Sequence, residues 1–224
     1  MPVLVAIPGI NWPHLAECNV KRASPGVVRI IGGHWRGSKL PVPEAAGLRP
    51  TSDRVRETVF NWLQPRIVGA RVLDLFAGTG ALGLEAASRG AANVVLVERD
   101  PSLAASLRAS ANRLAAGGAL RTVEVICNDA LHWLARPGDR QFDIAFLDPP
   151  FASALWRPAL DALAPWLADD AWLYLESPRA ELSVRVPGWV VHREGNTRDV
   201  RYALYRRGTV TLADVSAEQD PARA

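Results

Sequence analysis

"RVLDLFAGTGALGLEAASRGAANVVLVE", Arg71 to Glu98, decides the fold. An apolar run from Val72 to Phe76 meets a cluster of glycines. A helical stretch follows and stops at Gly90, where glycine tolerates the left-handed turn that ends a helix. A second apolar run then ends on an acid, Glu98. Near-continuous apolar strands are buried on both faces, and a helix between two of them makes the pair parallel.

The same alternation continues to the end of the chain. "PSLAASLRASANRLAA" reads as a helix with Pro101 in its first turn. "RTVEVI", "FDIAFLD" and "AWLYLE" read as strands, with helices at "ALHWLAR" and "ALWRPALDALAPWL" between them. "WVVHREGNTRDVRYALYRR" differs, because two strands meet across a polar turn with no helix between. The expectation is an α/β fold whose seven-stranded sheet is mostly parallel, with an antiparallel C-terminal hairpin at its edge.

The glycine cluster sits where such sheets bind ligands, at the carboxyl ends of the strands. Gly78, Gly80 and Gly83 fit G-x-G-x-x-G, which lets the backbone turn tightly and approach a ligand. Glu98 follows Gly80 by about 18 residues, the spacing at which an acid meets ribose hydroxyls. Asp74 separates two ligand classes. A carboxylate four residues before the first glycine repels a pyrophosphate, but suits a ligand carrying an ammonium and a sulfonium, as S-adenosylmethionine does. Asp129, in "CNDA" at the end of the third strand, is placed both to meet an adenine amino group and to cap the following helix.

The fourth strand ends "FDIAFLDPPF", Phe142 to Phe151. A nucleobase amino group is a poor nucleophile because its lone pair is delocalised into the ring. Two acceptors that hold its two N–H groups turn that lone pair towards an electrophile. Asp148 supplies one acceptor and the carbonyl of Pro149 the other. The Pro149-Pro150 pair stiffens the turn and offers no N–H of its own. Asp148 stabilises the positive charge that grows on nitrogen and takes up the proton afterwards. Phe151 can stack on an unstacked base. None of this chemistry says which base is used.

Charge is unevenly placed. Eight basic residues (Lys21, Arg22, Arg29, Arg36, Lys39, Arg49, Arg54, Arg56) face three acids (Glu44, Asp53, Glu57) between Lys21 and Phe60, in a chain whose formal net charge is +3. A concentrated basic segment beside a near-neutral domain suits a polyanionic partner. "VVRIIGGHWRGSKLPVP" reads as two short strands around a glycine-rich turn, with Val28, Ile30 and Leu40 inward. Arg29, His34, Trp35, Arg36 and Lys39 are left near the turn. In "LRPTSDRVRETVFNWL", Thr51 or Ser52 caps a helix whose apolar stripe is Val55, Val59, Trp62 and Leu63.

Bulk properties exclude several classes. No apolar stretch is long enough to span a bilayer. The first dozen residues carry no basic region and are broken by Pro8 and Pro13, so a secretory leader is not expected. Two cysteines, Cys18 and Cys127, make no disulfide framework, and no His or Cys spacing suits a metal. A cytoplasmic, metal-free protein is expected. A nicotinamide-dependent oxidoreductase would need a loop without Asp74 and a catalytic Tyr/Lys or His arrangement that is not evident. An amino methyltransferase acting on adenine N6 in DNA shares the Asp-Pro-Pro-Phe chemistry, but little chain remains for a DNA-reading domain.

The chain resembles the RsmD family of bacterial 16S rRNA (guanine-N2)-methyltransferases. The residues that carry the resemblance are "VRIIGGHWRGSKLPVP", "GLRPTSDRVRETVFNWL", "LDLFAGTGALGLEAASRG", "FLDPPF" and "YALYRR", spanning about Val27 to Arg207. The resemblance implies a Rossmann-like class I methyltransferase fold plus a small N-terminal hairpin and helix module. It implies transfer from S-adenosylmethionine to the N2 amino group of one guanine in 16S rRNA, within a small-subunit assembly particle, by a monomer without metal. Asp148, Pro149, Pro150 and Phe151 would be the catalytic tetrapeptide. Asp74, Phe76, Ala77, Gly78, Gly80, Glu98, Asn128 and Asp129 would surround the cofactor, with Thr51 and Arg54 closing over it. Arg29, Trp35, Arg36, Lys39 and Arg49 would grip rRNA. The implied divisions are 1–26 as an irregular extension, 27–69 as an rRNA-binding module and lid, 70–207 as the methyltransferase domain and 208–224 as a tail.

Overall fold

The computed structural model describes residues 26–42, 52–116, 122–136, 140–150, 155–179 and 186–208. Thr51, Arg49 and Phe151 lie outside them, as do the tail beyond Gly208 and all of the N-terminal extension before Gly26. Two short antiparallel strands come first, β1 (Val27–Arg29) and β2 (Lys39–Pro41). Helix α1 (Asp53–Ile67) follows. Then β3 (Arg71–Asp74), α2 (Gly83–Ser88), β4 (Asn93–Glu98), α3 (Pro101–Ala115), β5 (Thr122–Cys127), α4 (Ala130–Leu134) and β6 (Phe142–Leu147) alternate. Helix α5 (Trp156–Leu163), a 3-10 turn (Ala164–Trp166) and β7 (Leu167–Pro178) lead to β8 (Trp189–Asn196) and β9 (Val200–Arg207).

The seven strands from β3 onward form one sheet in the order β5-β4-β3-β6-β7-β9-β8. Strands β3 to β7 pair in parallel, and β9 runs antiparallel to both β7 and β8. The expected hairpin is present, with its second strand placed inward. Tyr202 to Tyr205 are buried in β9, whereas β8 is exposed along nearly its whole length. The apolar strand therefore takes the interior position and the polar one takes the edge.

Local chemistry explains the element ends. Ser52 is the cap of α1, accepting the Val55 N–H, and Asp100 caps α3 through the amides of Ser102 and Leu103. Helix α2 starts later than the periodicity suggests, because residues before Gly83 form a turn. Helix α5 gives way to a 3-10 turn where Pro165 removes a donor. The core lies on both faces of the sheet. One side joins Val72, Leu96, Phe146 and Tyr174 to Val59, Phe60 and Leu63 of α1 and to Val28, Ile30 and Leu40 of the hairpin. The other joins Leu73, Val95, Ala145 and Leu173 to α4 and α5. Val28, Ile30 and Leu40 point inward as expected. Among the described residues no helix is long and apolar enough to cross a membrane, and no group of three metal-ligating side chains occurs.

Candidate active site

The strand order reverses between β3 and β6. From β3 the chain moves to β4 and β5 on one side, and later to β6 and β7 on the other. A crevice opens at such a switch point beyond the carboxyl ends of the strands. Asp74 ends β3, and Glu98 ends β4. Asp148 follows the last residue of β6, and Asn128 and Asp129 follow β5. Asp74 pairs in register with Phe146 and Leu96, so Asp148 and Glu98 each stand two residues further along on the same face.

The glycine loop folds against these acids. The Ala77 N–H donates to the Val97 carbonyl and the Gly80 N–H to the Ala77 carbonyl, which closes the turn tightly. Gly80 has φ +76°, a left-handed conformation that favours glycine. Glu98 accepts the Gly78 N–H at 2.9 Å on Oε2 and the Asp100 N–H at 2.8 Å on Oε1. Phe76 is half-buried and Ala77 buried beside it.

Asp74 is the electrostatic centre. It is buried, and Oδ2 accepts the Gly83 N–H at 2.9 Å. Burial pushes its carboxyl up to about 7; the nearby Glu98 charge adds to the rise, against the amides of Gly83 and Phe76. Two carboxylates thus share a poorly solvated cradle. Asp129 caps α4, its Oδ1 accepting the amides of Leu131 and His132 at 3.0 and 3.1 Å. The expected cap is thus present, and Oδ2 lies outside these bonds. The Asn128 N–H donates to the Glu98 carbonyl and extends the β4–β5 edge.

Asp148 is half-buried and Pro149 buried, with Pro150 exposed. Arg54 is exposed in the first turn of α1, at the end of that helix remote from the α1–β3 link. Since that link lies at the amino edge of the sheet, the start of α1 lies towards the carboxyl edge.

The N-terminal hairpin corrects the expectation for Trp35. Trp35 is not a surface ring: it is 6% exposed and packs in the core with α1 and α2. The glycine turn lays it there. Gly33 has φ +75°, and a Cβ would come 2.0 Å from the Ser88 carbonyl oxygen. The His34 N–H donates to that same carbonyl, and the Trp35 N–H to Ser88 Oγ. Arg56, one of the eight basic residues of this segment, lies in the interior. It is fully buried, donating to the Arg29 carbonyl and to Asp53 Oδ1, with Glu85 Oε2 3.6 Å away. Arg29, Arg36 and Lys39 do keep exposed side chains.

Glu85, which the sequence reading passed over, is the hub of this docking. It is fully buried on α2, with Oε2 accepting the Ile31 N–H and Oε1 accepting the Gly32 N–H and Arg89 Nε. A signal was present. Arg56 falls on the stripe Arg56, Phe60, Leu63, Ile67, and Glu85 is the lone acid in an otherwise apolar helix. Opposite charges at two apolar positions imply a buried pair.

Residues 28–206 match the family described as conserved hypothetical protein 95. The chain belongs to this family. Ribosomal RNA small subunit methyltransferase D of Escherichia coli is 48% identical over 185 residues, covering 81% of this chain and 91% of that protein. The protein of the same name from Haemophilus influenzae is 42% identical over 184 residues, covering 81% and 94%. The solved structure of the Escherichia coli protein yhhF superimposes with a TM-score of 0.74 at 45% identity, covering 82% of this chain and 99% of that one. The resemblance to the RsmD family holds across the fold, and the chain is a methyltransferase.

Proposed function

We propose that the chain transfers a methyl group from S-adenosylmethionine to the exocyclic N2 of a guanine in small-subunit (16S) rRNA. The observation that carries this reading is the placement of Asp148 beside the Asp74–Glu98 cradle at the switch point of the sheet. The donor set fits the cofactor. A carboxylate whose ionised form is disfavoured by burial, with the charge of a second carboxylate adding to the effect, is stabilised by an ammonium or sulfonium and repels a pyrophosphate. Glu98 is oriented by two backbone amides, which leaves lone pairs for ribose hydroxyls. Phe76, Ala77, Gly78, Gly80, Asn128 and Asp129 complete the cofactor wall, and Thr51 and Arg54 close over it.

When bound, S-adenosylmethionine supplies an electrophilic methyl group. The chain's own residues prepare the acceptor. The Asp148 carboxylate and the Pro149 carbonyl accept the two N–H groups of the amine and orient its lone pair. Asp148 stabilises the charge that develops on nitrogen and takes the proton that nitrogen sheds. Pro150 stiffens the turn, and Phe151 stacks on the flipped base.

Small-subunit rRNA is the polymer named in the relatives at 48% and 42% identity, which supports it as substrate here. In this reading segment 27–69 is the rRNA-binding module and lid, with Arg29, Arg36, Lys39 and Arg49 on phosphates. Segment 70–207 is the catalytic domain. The enzyme acts as a cytoplasmic monomer on a small-subunit assembly particle.

Calorimetry with the purified protein is expected to show binding of S-adenosylmethionine and none of NAD. Asp148→Ala is expected to keep that binding and lose transfer to rRNA. Full turnover by this variant would remove Asp148 from the chemistry. An unchanged N2-methylguanine pattern in rRNA from cells lacking the gene would remove the guanine assignment.

A further inference from the structure

The two faces of the C-terminal hairpin differ in charge. On the face towards α4 and α5, Arg201 is buried and donates to Glu194 Oε2 at 2.6 Å, so that cation is paired. On the face towards α1, Arg193 of β8 stands opposite Leu204, and Arg206 of β9 opposite Trp172. Leu204 and Trp172 belong to the core that α1 covers, yet both arginines are exposed. His192, at the bulge between Val191 and Arg193, meets the Trp172 ring edge-on with 4.7 Å between ring centres. Desolvation lowers the proton affinity of His192, and the charges of Arg193 and Arg206 lower it further, so both guanidinium groups lie near this ring.

Helix α1 borders this surface. Trp62 is half-buried and stacks on Tyr202 at 5.7 Å, and Arg66 lies over the Trp172 ring at 5.5 Å. Asp170 meets Arg66 at 3.7 Å, but both side chains are at least half exposed, where such a pair contributes little. At four-residue spacing the row Arg66, Trp62 continues through Thr58 to Arg54 in the first turn. Along the sheet the surface runs from Arg206, level with Ile144, to Tyr202, one residue beyond the level of Leu147. That is about 13 Å of strand, and it ends at the edge where Asp148 follows β6.

We propose that Arg193, Arg206 and His192 of the hairpin, with Arg66 and Trp62 of α1, form a second binding surface for the phosphate backbone of the rRNA substrate. This rests on the reading that the chain acts on rRNA. Exposed guanidinium groups around partly open rings suit a polyanion that carries planar bases. His192 adds a hydrogen-bonding ring rather than a full charge, because its proton affinity is lowered. Strand β8 is the open edge of the sheet, and arginine on an open edge opposes pairing with a second copy of the chain. The N-terminal hairpin docks on α2, which packs on β3 and β4, whereas this surface crosses β9 and β8. The two basic surfaces therefore flank α1, and one RNA that touches both passes the catalytic edge.

The test is fluorescence-anisotropy binding of a 16S rRNA transcript to the full chain across a salt series. Arg193→Ala and Arg206→Ala are each expected to lower the slope of log binding constant against log salt by about 1, and the double variant by about 2. S-adenosylmethionine binding by calorimetry and the melting temperature should hold, since both side chains are exposed. Arg136→Ala is the control. Arg136 is exposed just past α4, which packs on the opposite face of the sheet, and its loss should leave the slope unchanged. A slope unmoved in the double variant, or lowered as much by Arg136→Ala as by Arg193→Ala, overturns the proposal. Full methylation of small-subunit rRNA in cells lacking the gene would instead overturn the reading beneath it, whatever the slopes show.

Discussion

Asp74 is a carboxylate placed where its charge is poorly solvated. The sequence shows why an acid belongs there, since its distance from the glycine loop suits a cationic ligand. Burial and the neighbouring Glu98 become visible only in the fold. The sign of the resulting pH dependence follows. The folded carboxyl binds its proton up to about 7, whereas its ordinary value is 3.8. Its contribution to stability is therefore complete below 3.8 and is lost as pH rises through about 7. The loss is on the order of 4 kcal/mol at most. Asp74→Asn cannot ionise, yet its side-chain oxygen can still accept the Gly83 N–H. Its melting temperature should fall less between pH 5 and pH 8 than that of the native chain, while S-adenosylmethionine binding is lost. Parallel melting curves across that range would contradict this account. Asp148 was equally legible, because its strand, its prolines and its aromatic neighbour are contiguous.

At the scale of elements, the hairpin is a docked structure rather than a projecting arm. Glu85 and Ser88 on one helix receive four of its backbone amides, those of Ile31, Gly32, His34 and Trp35. Glu85→Gln would weaken the hydrogen bonds from Arg89 and the hairpin amides and remove the charge facing Arg56, which keeps Asp53, and should cost about 1.5–3 kcal/mol in urea unfolding. Gly33→Ala meets a positive φ and a backbone carbonyl at 2.0 Å, and neither can yield cheaply. It should destabilise by at least about 1 kcal/mol, measured in the same way. A stability equal to the native chain in either variant would mean that the hairpin does not depend on this docking. Most element boundaries were readable from apolar period, caps and proline. The exceptions, the late start of α2 and the inward place of β9, depend on the neighbours those segments meet.

For the whole molecule, the question is which charges reach the polymer. The eight basic residues of the N-terminal segment are equivalent in composition, but the fold separates them. Arg56 is consumed in the core, while Arg29, Arg36, Lys39 and Arg54 remain exposed. Replacing Arg29, Arg36 or Lys39 by Ala should each lower the slope of log binding constant against log salt by about 1, with little loss of stability. Trp35→Ala should do the reverse, leaving the slope and costing about 3–5 kcal/mol of folding stability. A lower slope for Trp35→Ala in a fully stable protein would return that ring to the RNA surface. By itself the sequence determined the layered sheet, the glycine turn and the acids at its strand ends, because these depend on period and on contiguous residues. The tertiary structure alone decided which charges are buried and that Trp35 packs inward. Those outcomes turn on contacts between segments far apart in the chain, where burial reverses what a charge or a ring does at the surface.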